Sequence, residues 1–224
     1  MDYIKKNLHE LLAEIKEISG DRRVTLVAVT KSGTDEELLE LVRCGATDIG
    51  ENRPQELVRR GAILEDNGLD VRLHEIGNLQ RNKVKSIIEK VALIHSVDSL
   101  SLAAEIDKQA RKVGRRVDIL IEINSAREES KGGVSPEEAT DLFLKVRELP
   151  NVRVRGLMTM GNVCDDPEDI RPCFRLVREL FDKINATYGF EGEPILSMGM
   201  SDSYRVAISE GATLVRVGRR LFQK

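Results

Sequence analysis

Apolar residues fall along this chain in two alternating rhythms. Between residues 4 and 19, Ile4, Leu8, Leu11, Leu12, Ile15 and Ile18 recur at helical spacing, and Gly20 ends the run. Leu26 to Lys31 is different, a continuous apolar stretch rich in β-branched residues that reads as a strand buried on both faces. Thr34 and Glu37 then stand at capping-box spacing, and Leu38, Leu39, Leu41 and Val42 carry a helix as far as Gly45. Further strands are predicted at 46–50, 72–77, 93–97, 117–124, 152–160, 195–198 and 213–217. Helices are predicted between them at 54–66, 79–90, 98–113, 135–149, 168–187 and 202–209.

Two segments carry extra detail. In the strand 117–124, Ile119, Ile121 and Ile123 share one face, while Asp118, Leu120, Glu122 and Asn124 share the other. Such a strand puts its apolar face against helices and a partly polar face inward. Ser135-Pro136-Glu137-Glu138 is a helix start, with serine as cap, proline at the first position and glutamate three after the cap. Strict strand–helix alternation implies parallel strands with right-handed connections, and eight such units close into a barrel. The predicted fold is therefore α/β, a single (β/α)8 TIM-type barrel over residues 1–224. The last strand leaves almost no room for a helix of its own, so the amphipathic helix at 4–19 is predicted to fill that gap. An open doubly wound sheet would carry a glycine-rich first turn, and none is present.

Composition narrows the picture. At 224 residues the chain is close to the ~250 typical of such a barrel. Its 35 basic and 38 acidic residues are mixed along the sequence, with a net charge of −3, which argues against binding nucleic acid or an anionic membrane. No apolar run approaches the ~20 residues of a membrane span, and the N-terminus lacks the apolar core of a signal peptide. Cys44, Cys164 and Cys173 are widely spaced, and His9, His74 and His95 are scattered, so neither disulfides nor a metal site is expected. The expectation is a cytoplasmic, metal-free protein.

In such a barrel the active site forms at the carboxyl ends of the strands. Those ends read Lys31, Glu51-Asn52, Gly77-Asn78, Asp98, Asn124, Met160, Met200-Ser201 and Gly218-Arg219. The loops after strands seven and eight, where these barrels usually bind phosphate, contain Gly199, Ser201 and Gly218. A lysine beside a phosphate cradle suits a phosphorylated carbonyl compound, since a buried lysine loses charge and its neutral amine forms a Schiff base. Pyridoxal 5′-phosphate and a sugar-phosphate aldehyde both meet that description. Blander readings stand beside each residue: Lys31 as a solvated strand-end ammonium, Ser201 as a helix cap, Arg216 as an ion-pair partner of Glu122, and His74 as a core histidine.

Eight segments together resemble the pyridoxal phosphate homeostasis protein family (YggS/PROSC type), which is related to the barrel domain of alanine racemase. They are VAVTK at 27–31, IGENRPQEL at 49–57, HEIGNLQRNK at 74–83, IHSVDS at 94–99, ILIEIN at 119–124, RGLMTM at 155–160, LSMGMSDSYRVAI at 196–208 and GATLVRVG at 211–218. The resemblance implies a fold-type III barrel with pyridoxal 5′-phosphate as cofactor. It assigns Lys31 to the Schiff base, Ser201 and the Gly218 backbone to the phosphate, and Arg216 to the pyridine nitrogen. Asn52 and His74 fall in motifs lining the same pocket. Arg219 stands where members commonly have a small hydroxyl residue, and as a phosphate ligand it would contribute charge instead.

An arginine is a donor only, so a ring nitrogen facing it stays unprotonated and the cofactor is a weak electron sink. The resemblance thus implies a carrier or regulator of pyridoxal phosphate in vitamin B6 and amino-acid homeostasis, without robust catalysis. Expected partners are pyridoxal phosphate, amino acids and pyridoxal-phosphate-dependent apo-enzymes, and the expected state is a monomer. The alternative is an alanine-type racemase, which needs an acid/base group on each face of the cofactor. Alanine racemase takes its opposing tyrosine from a C-terminal domain, and this chain ends where that domain would begin. Of Tyr3, Tyr188 and Tyr204, only Tyr204 follows the phosphate loop.

Overall fold

Eight parallel strands close into a barrel in strict sequence order in the computed structural model, which describes residues 2–128, 132–161 and 166–224. The strands are β1 (Thr25–Val29), β2 (Asp48–Glu51), β3 (Arg72–Glu75), β4 (Val91–Val97), β5 (Val117–Glu122), β6 (Val152–Met158), β7 (Ile195–Ser197) and β8 (Leu214–Val217). The helices are α1 (Asp2–Ser19), α2 (Asp35–Arg43), α3 (Pro54–Asp66), α4 (Val84–Ile87), α5 (Leu100–Lys112), α6 (Ala139–Val146), α7 (Arg171–Tyr188) and α8 (Tyr204–Ser209). Closure comes from β8 pairing with β1, with Val27 opposite Arg216 and Ala28 opposite Val217.

Side-chain alternation along each strand separates two cores. Ile119, Ile121 and Ile123 enter the large layer between strands and helices. Leu120, on the opposite face of the same strand, joins Val27, Leu93, Met158 and Leu214 in a small cluster inside the barrel. The barrel is plugged, and polar inward residues above and below that plug can serve as sites. Helix α1 buries Ile4, Leu8, Leu11 and Ile15. It packs on α8, α2 and the terminal 3₁₀ turn Arg219–Phe222, which is the gap expected of it. The predicted capping box of α2 is present in both directions between Thr34 and Glu37.

Element ends differ from expectation where local chemistry intervenes. The helix expected at 79–90 contracts to a 3₁₀ turn at Arg81–Lys83 followed by α4. Residues before it run along the rim, and β4 starts at Val91, so little chain is left to coil. Ser135 and Glu138 do bond one another, Glu138 N–H donating to Ser135 Oγ (3.4 Å) and that hydroxyl donating to Glu138 Oε2 (2.5 Å). They close one turn that runs directly into the helix, but α6 itself begins only at Ala139. The helix predicted from 168 opens as a 3₁₀ segment, Pro167–Ile170, before α7. Pro172 has no N–H to offer to the carbonyl four residues back, so an unbroken α ladder cannot start earlier. β1 ends at Val29, which leaves Thr30 and Lys31 in the turn beyond it. Of the loop expected at 161–167, residues 162–165, Cys164 among them, lie outside the described residues.

Candidate functional site

Lys31 sits on a turn that the neighbouring elements hold from three sides. Gly33 N–H closes the turn onto Thr30 O at 2.9 Å. Arg60 of α3, itself buried, donates to Thr30 O (2.5 Å) and Gly33 O (2.8 Å), gripping the backbone on either side of the lysine. Glu51 at the end of β2 lies 3.2 Å from the same guanidinium and accepts the Thr30 hydroxyl. Gly33 packs under the Phe222 ring, where a methyl group would come within 2.6 Å. The Lys31 side chain is exposed. The burial expected to ready its amine is therefore not what this structure provides; what it provides is a fixed backbone that presents the amine at the rim.

Across the β1–β8 seam lies the anion cradle. Gly218 N–H donates to Ser201 Oγ at 3.3 Å, which brings the loops after β7 and β8 together. Gly218 lies flush against β1: a methyl group on it would stand 2.7 Å from the Val29 carbonyl oxygen, so only glycine brings its N–H this close. The expected capping role of Ser201 is not what is seen. Ser203 holds the N-cap position of α8 without a side-chain capping bond, its hydroxyl accepting instead from Met200 N–H at 3.1 Å, and Ser201 is left to the Gly218 contact. Arg219 is exposed and pairs with Asp202, so its charge is partly neutralised beside the cradle.

Beneath the rim, Arg216 points into the barrel and is buried. It donates to Ser197 Oγ (2.5 Å) and Thr159 O (3.0 Å). Burial pulls its guanidinium down to about 10, against the attraction of Glu122, which still leaves it charged at neutral pH. The expected Glu122 partnership is thus a through-space attraction, not a contact among the described ion pairs. Glu122 is itself pushed up to about 7 by burial and by Asp98, with Arg216 opposing.

His74 is placed apart from the rim. Its ring bonds Asp48 Oδ1 and His95 Nε2, both at 2.9 Å, and lines a polar cavity of about 170 Å³ with Thr25, Asp48, Arg72 and Asp118. Those residues mark the amino ends of the strands, opposite Lys31. Burial opposes ionisation of Asp48, but hydrogen bonds from His74 and Arg72 outweigh it and hold the carboxyl at about 2. Asn52 is half-buried at the rim just after β2. Its backbone carbonyl lies so close to Gly77 that a methyl group there would stand 2.1 Å away. Lys31, Asn52, Ser201, Arg216 and Gly218 therefore share one arc of the barrel, from β7 through β8 and β1 to β2. None of the tyrosines reaches it. Tyr204 is buried against α1, bonded to Arg220 and raised to about 12 by burial and Glu14; Tyr3 bonds Glu37, and Tyr188 ends α7.

Sequence reasoning missed Arg60, Glu75, His95 and Ser197. Inward alternation on β4 and β7 could have flagged His95 and Ser197. Nothing in the local pattern marks Arg60, whose role depends on α3 crossing the β1 turn. Among the described residues no His, Cys, Asp and Glu group could hold a metal. The rim does suit pyridoxal phosphate: a primary amine, a hydroxyl and N–H cradle shaped by Gly218, and a buried donor-only cation match its aldehyde, phosphate and ring nitrogen.

A family model for the alanine racemase N-terminal domain matches residues 2–223. The pyridoxal phosphate homeostasis protein of Aquifex aeolicus is 47% identical over 91% of this chain and 88% of its own length. That of Helicobacter pylori is 36% identical over the full length of both. The structure of PipY from Synechococcus elongatus with pyridoxal phosphate bound superposes with a TM-score of 0.86 at 30% identity, covering 98% of this chain and 100% of that one. Alanine racemase of Clostridium difficile shares the fold, with a TM-score of 0.76 at 19% identity over all of this chain and 56% of its own. The chain belongs to the pyridoxal phosphate homeostasis protein family, built on the barrel of the alanine racemase N-terminal domain.

Proposed function

We propose that this protein binds pyridoxal 5′-phosphate at the β7–β8–β1–β2 rim and holds it through Lys31, serving pyridoxal phosphate homeostasis. The observation that carries the reading is one lysine on a clamped turn, beside the Ser201–Gly218 cradle and above the buried Arg216. When bound, pyridoxal phosphate supplies an aldehyde for the amine and an aromatic ring able to draw electrons. Ser201 and the Gly218 N–H bind its phosphate, and Arg219 adds charge at the edge of that cradle. Asn52 lines the β2 side. Arg216 donates a hydrogen bond to the ring nitrogen and, as a charged donor, keeps a proton off it. A ring held in that state is a poor electron sink, which fits storage and delivery better than carbanion chemistry.

The racemase alternative needs a second acid/base group facing the cofactor, and Tyr204 is committed to Glu14 and Arg220 under α1. Amino acids and pyridoxal-phosphate-dependent apo-enzymes as partners, a monomeric state and a cytoplasmic location belong to the same proposal. Arg216→Ala tests the reading. Loss of a charge-assisted hydrogen bond should weaken pyridoxal phosphate binding by about tenfold or more in equilibrium titration. Unchanged affinity would make Arg216 a purely structural residue.

A further inference from the structure

Four hydrogen bonds run in series through the barrel, from the rim to the cavity at its amino end. They link Arg216 Nη1 to Ser197 Oγ (2.5 Å), Ser197 Oγ to His95 Nδ1 (3.0 Å), His95 Nε2 to His74 Nδ1 (2.9 Å), and His74 Nε2 to Asp48 Oδ1 (2.9 Å). Every member is buried. The two ends set the direction: a guanidinium can only donate and a carboxylate can only accept. With one proton on each ring, the order is forced. His74 donates to Asp48 and accepts from His95, His95 accepts from Ser197, and Ser197 accepts from Arg216. All four bonds point the same way, with a cation at the head and an anion at the tail.

Such alignment matters because Arg216 is a buried cation with no carboxylate in contact among the described residues. Its acceptors are a hydroxyl and the Thr159 carbonyl, and Glu122 acts only through space. A buried charge without a bonded counter-charge is costly, and aligned hydrogen bonds strengthen one another in a low-dielectric interior. The relay makes Ser197 a better acceptor than an isolated hydroxyl and holds the guanidinium in one orientation. Burial, the largest cause, keeps the His95 ring well below the ordinary histidine range, so His95 carries the single proton that this order requires. Asp48 is anchored in turn by Arg72 at 2.7 Å, an exposed residue at the amino end.

We propose that Asp48, His74, His95 and Ser197 are positioning residues for Arg216, so that a carboxylate at the amino end of the barrel supports the cofactor-facing arginine at the carboxyl end. This rests on the assignment of pyridoxal phosphate to the rim.

Equilibrium binding of pyridoxal phosphate to the full chain, arranged as double-mutant cycles with Arg216→Ala, tests the relay. His95→Leu and Ser197→Ala are each expected to weaken binding about threefold to tenfold, and Asp48→Asn about threefold. In the Arg216→Ala background none of them should weaken it further, because their effect passes through the guanidinium. Ser197→Thr keeps the hydroxyl and should restore wild-type affinity. A role in packing alone would give losses that add to that of Arg216→Ala, and additive losses or unchanged affinities would overturn the proposal. Should His95→Leu fail to fold, Ser197→Ala and Asp48→Asn carry the same cycle with smaller changes. Borohydride trapping on Lys31 separates the two readings. A wild-type protein that traps no pyridoxal phosphate removes both, whereas one that traps it while the variants bind normally removes the relay alone.

Discussion

Lys31→Ala is expected to abolish the borohydride-reducible adduct between this protein and pyridoxal phosphate, the largest effect of any single substitution. No other primary amine shares its position on the turn that Arg60 holds through Thr30 O and Gly33 O. The Glu51–Arg60 pair and the Thr30 hydroxyl lock that turn from below, and Phe222 covers Gly33. A group held by a rigid backbone meets its partner without first paying to order the chain. Reversible, phosphate-dependent binding through the Ser201–Gly218 cradle and Arg216 should persist in the variant, so overall affinity falls while covalent capture vanishes. Mass spectrometry after reduction reads the difference. An adduct of undiminished yield in Lys31→Ala would place the covalent chemistry on another lysine.

The second large effect concerns stability and lies one layer below that turn. Glu75 is fully buried, and burial, reinforced by Glu51, pushes it up to about 8 despite a hydrogen bond from Gly77 N–H. Its Oε2 has no hydrogen-bond partner among the described residues. Between pH 4.5 and about 8 the folded chain therefore keeps a proton that the unfolded chain has lost. Fewer protons on the unfolded state means that stability falls as pH rises through this window, by at most on the order of 5 kcal/mol. Glu75→Gln has no proton to lose. Its stability relative to wild type should climb from pH 5 to about pH 8 and level off above that in chemical denaturation. Parallel stability profiles would show that Glu75 is ionised in the folded protein.

Much of the architecture was legible because it follows from periodicity. The inward and outward faces of β5, the capping box of α2 and the placement of α1 over the barrel seam all follow from side-chain spacing. Boundaries failed where a proline or a tight rim crossing decided them, as at Pro172 and before α4. The rim residues were legible as strand ends. What spacing could not convey was depth: Lys31 proved exposed, His74 lies toward the opposite end of the barrel, and Ser201 bonds Gly218 instead of capping α8. Arg60 and the His95–Ser197 link depend on elements far apart in sequence, and only the closed barrel brings them together.

Titration of the purified protein with pyridoxal phosphate, followed by visible absorbance and then by reduction and mapping of the product, tests Lys31 as the anchoring amine. The expected result is a yellow protein whose colour saturates with added cofactor and whose reduced adduct maps to Lys31. A protein that stays colourless and takes up no pyridoxal phosphate would contradict it.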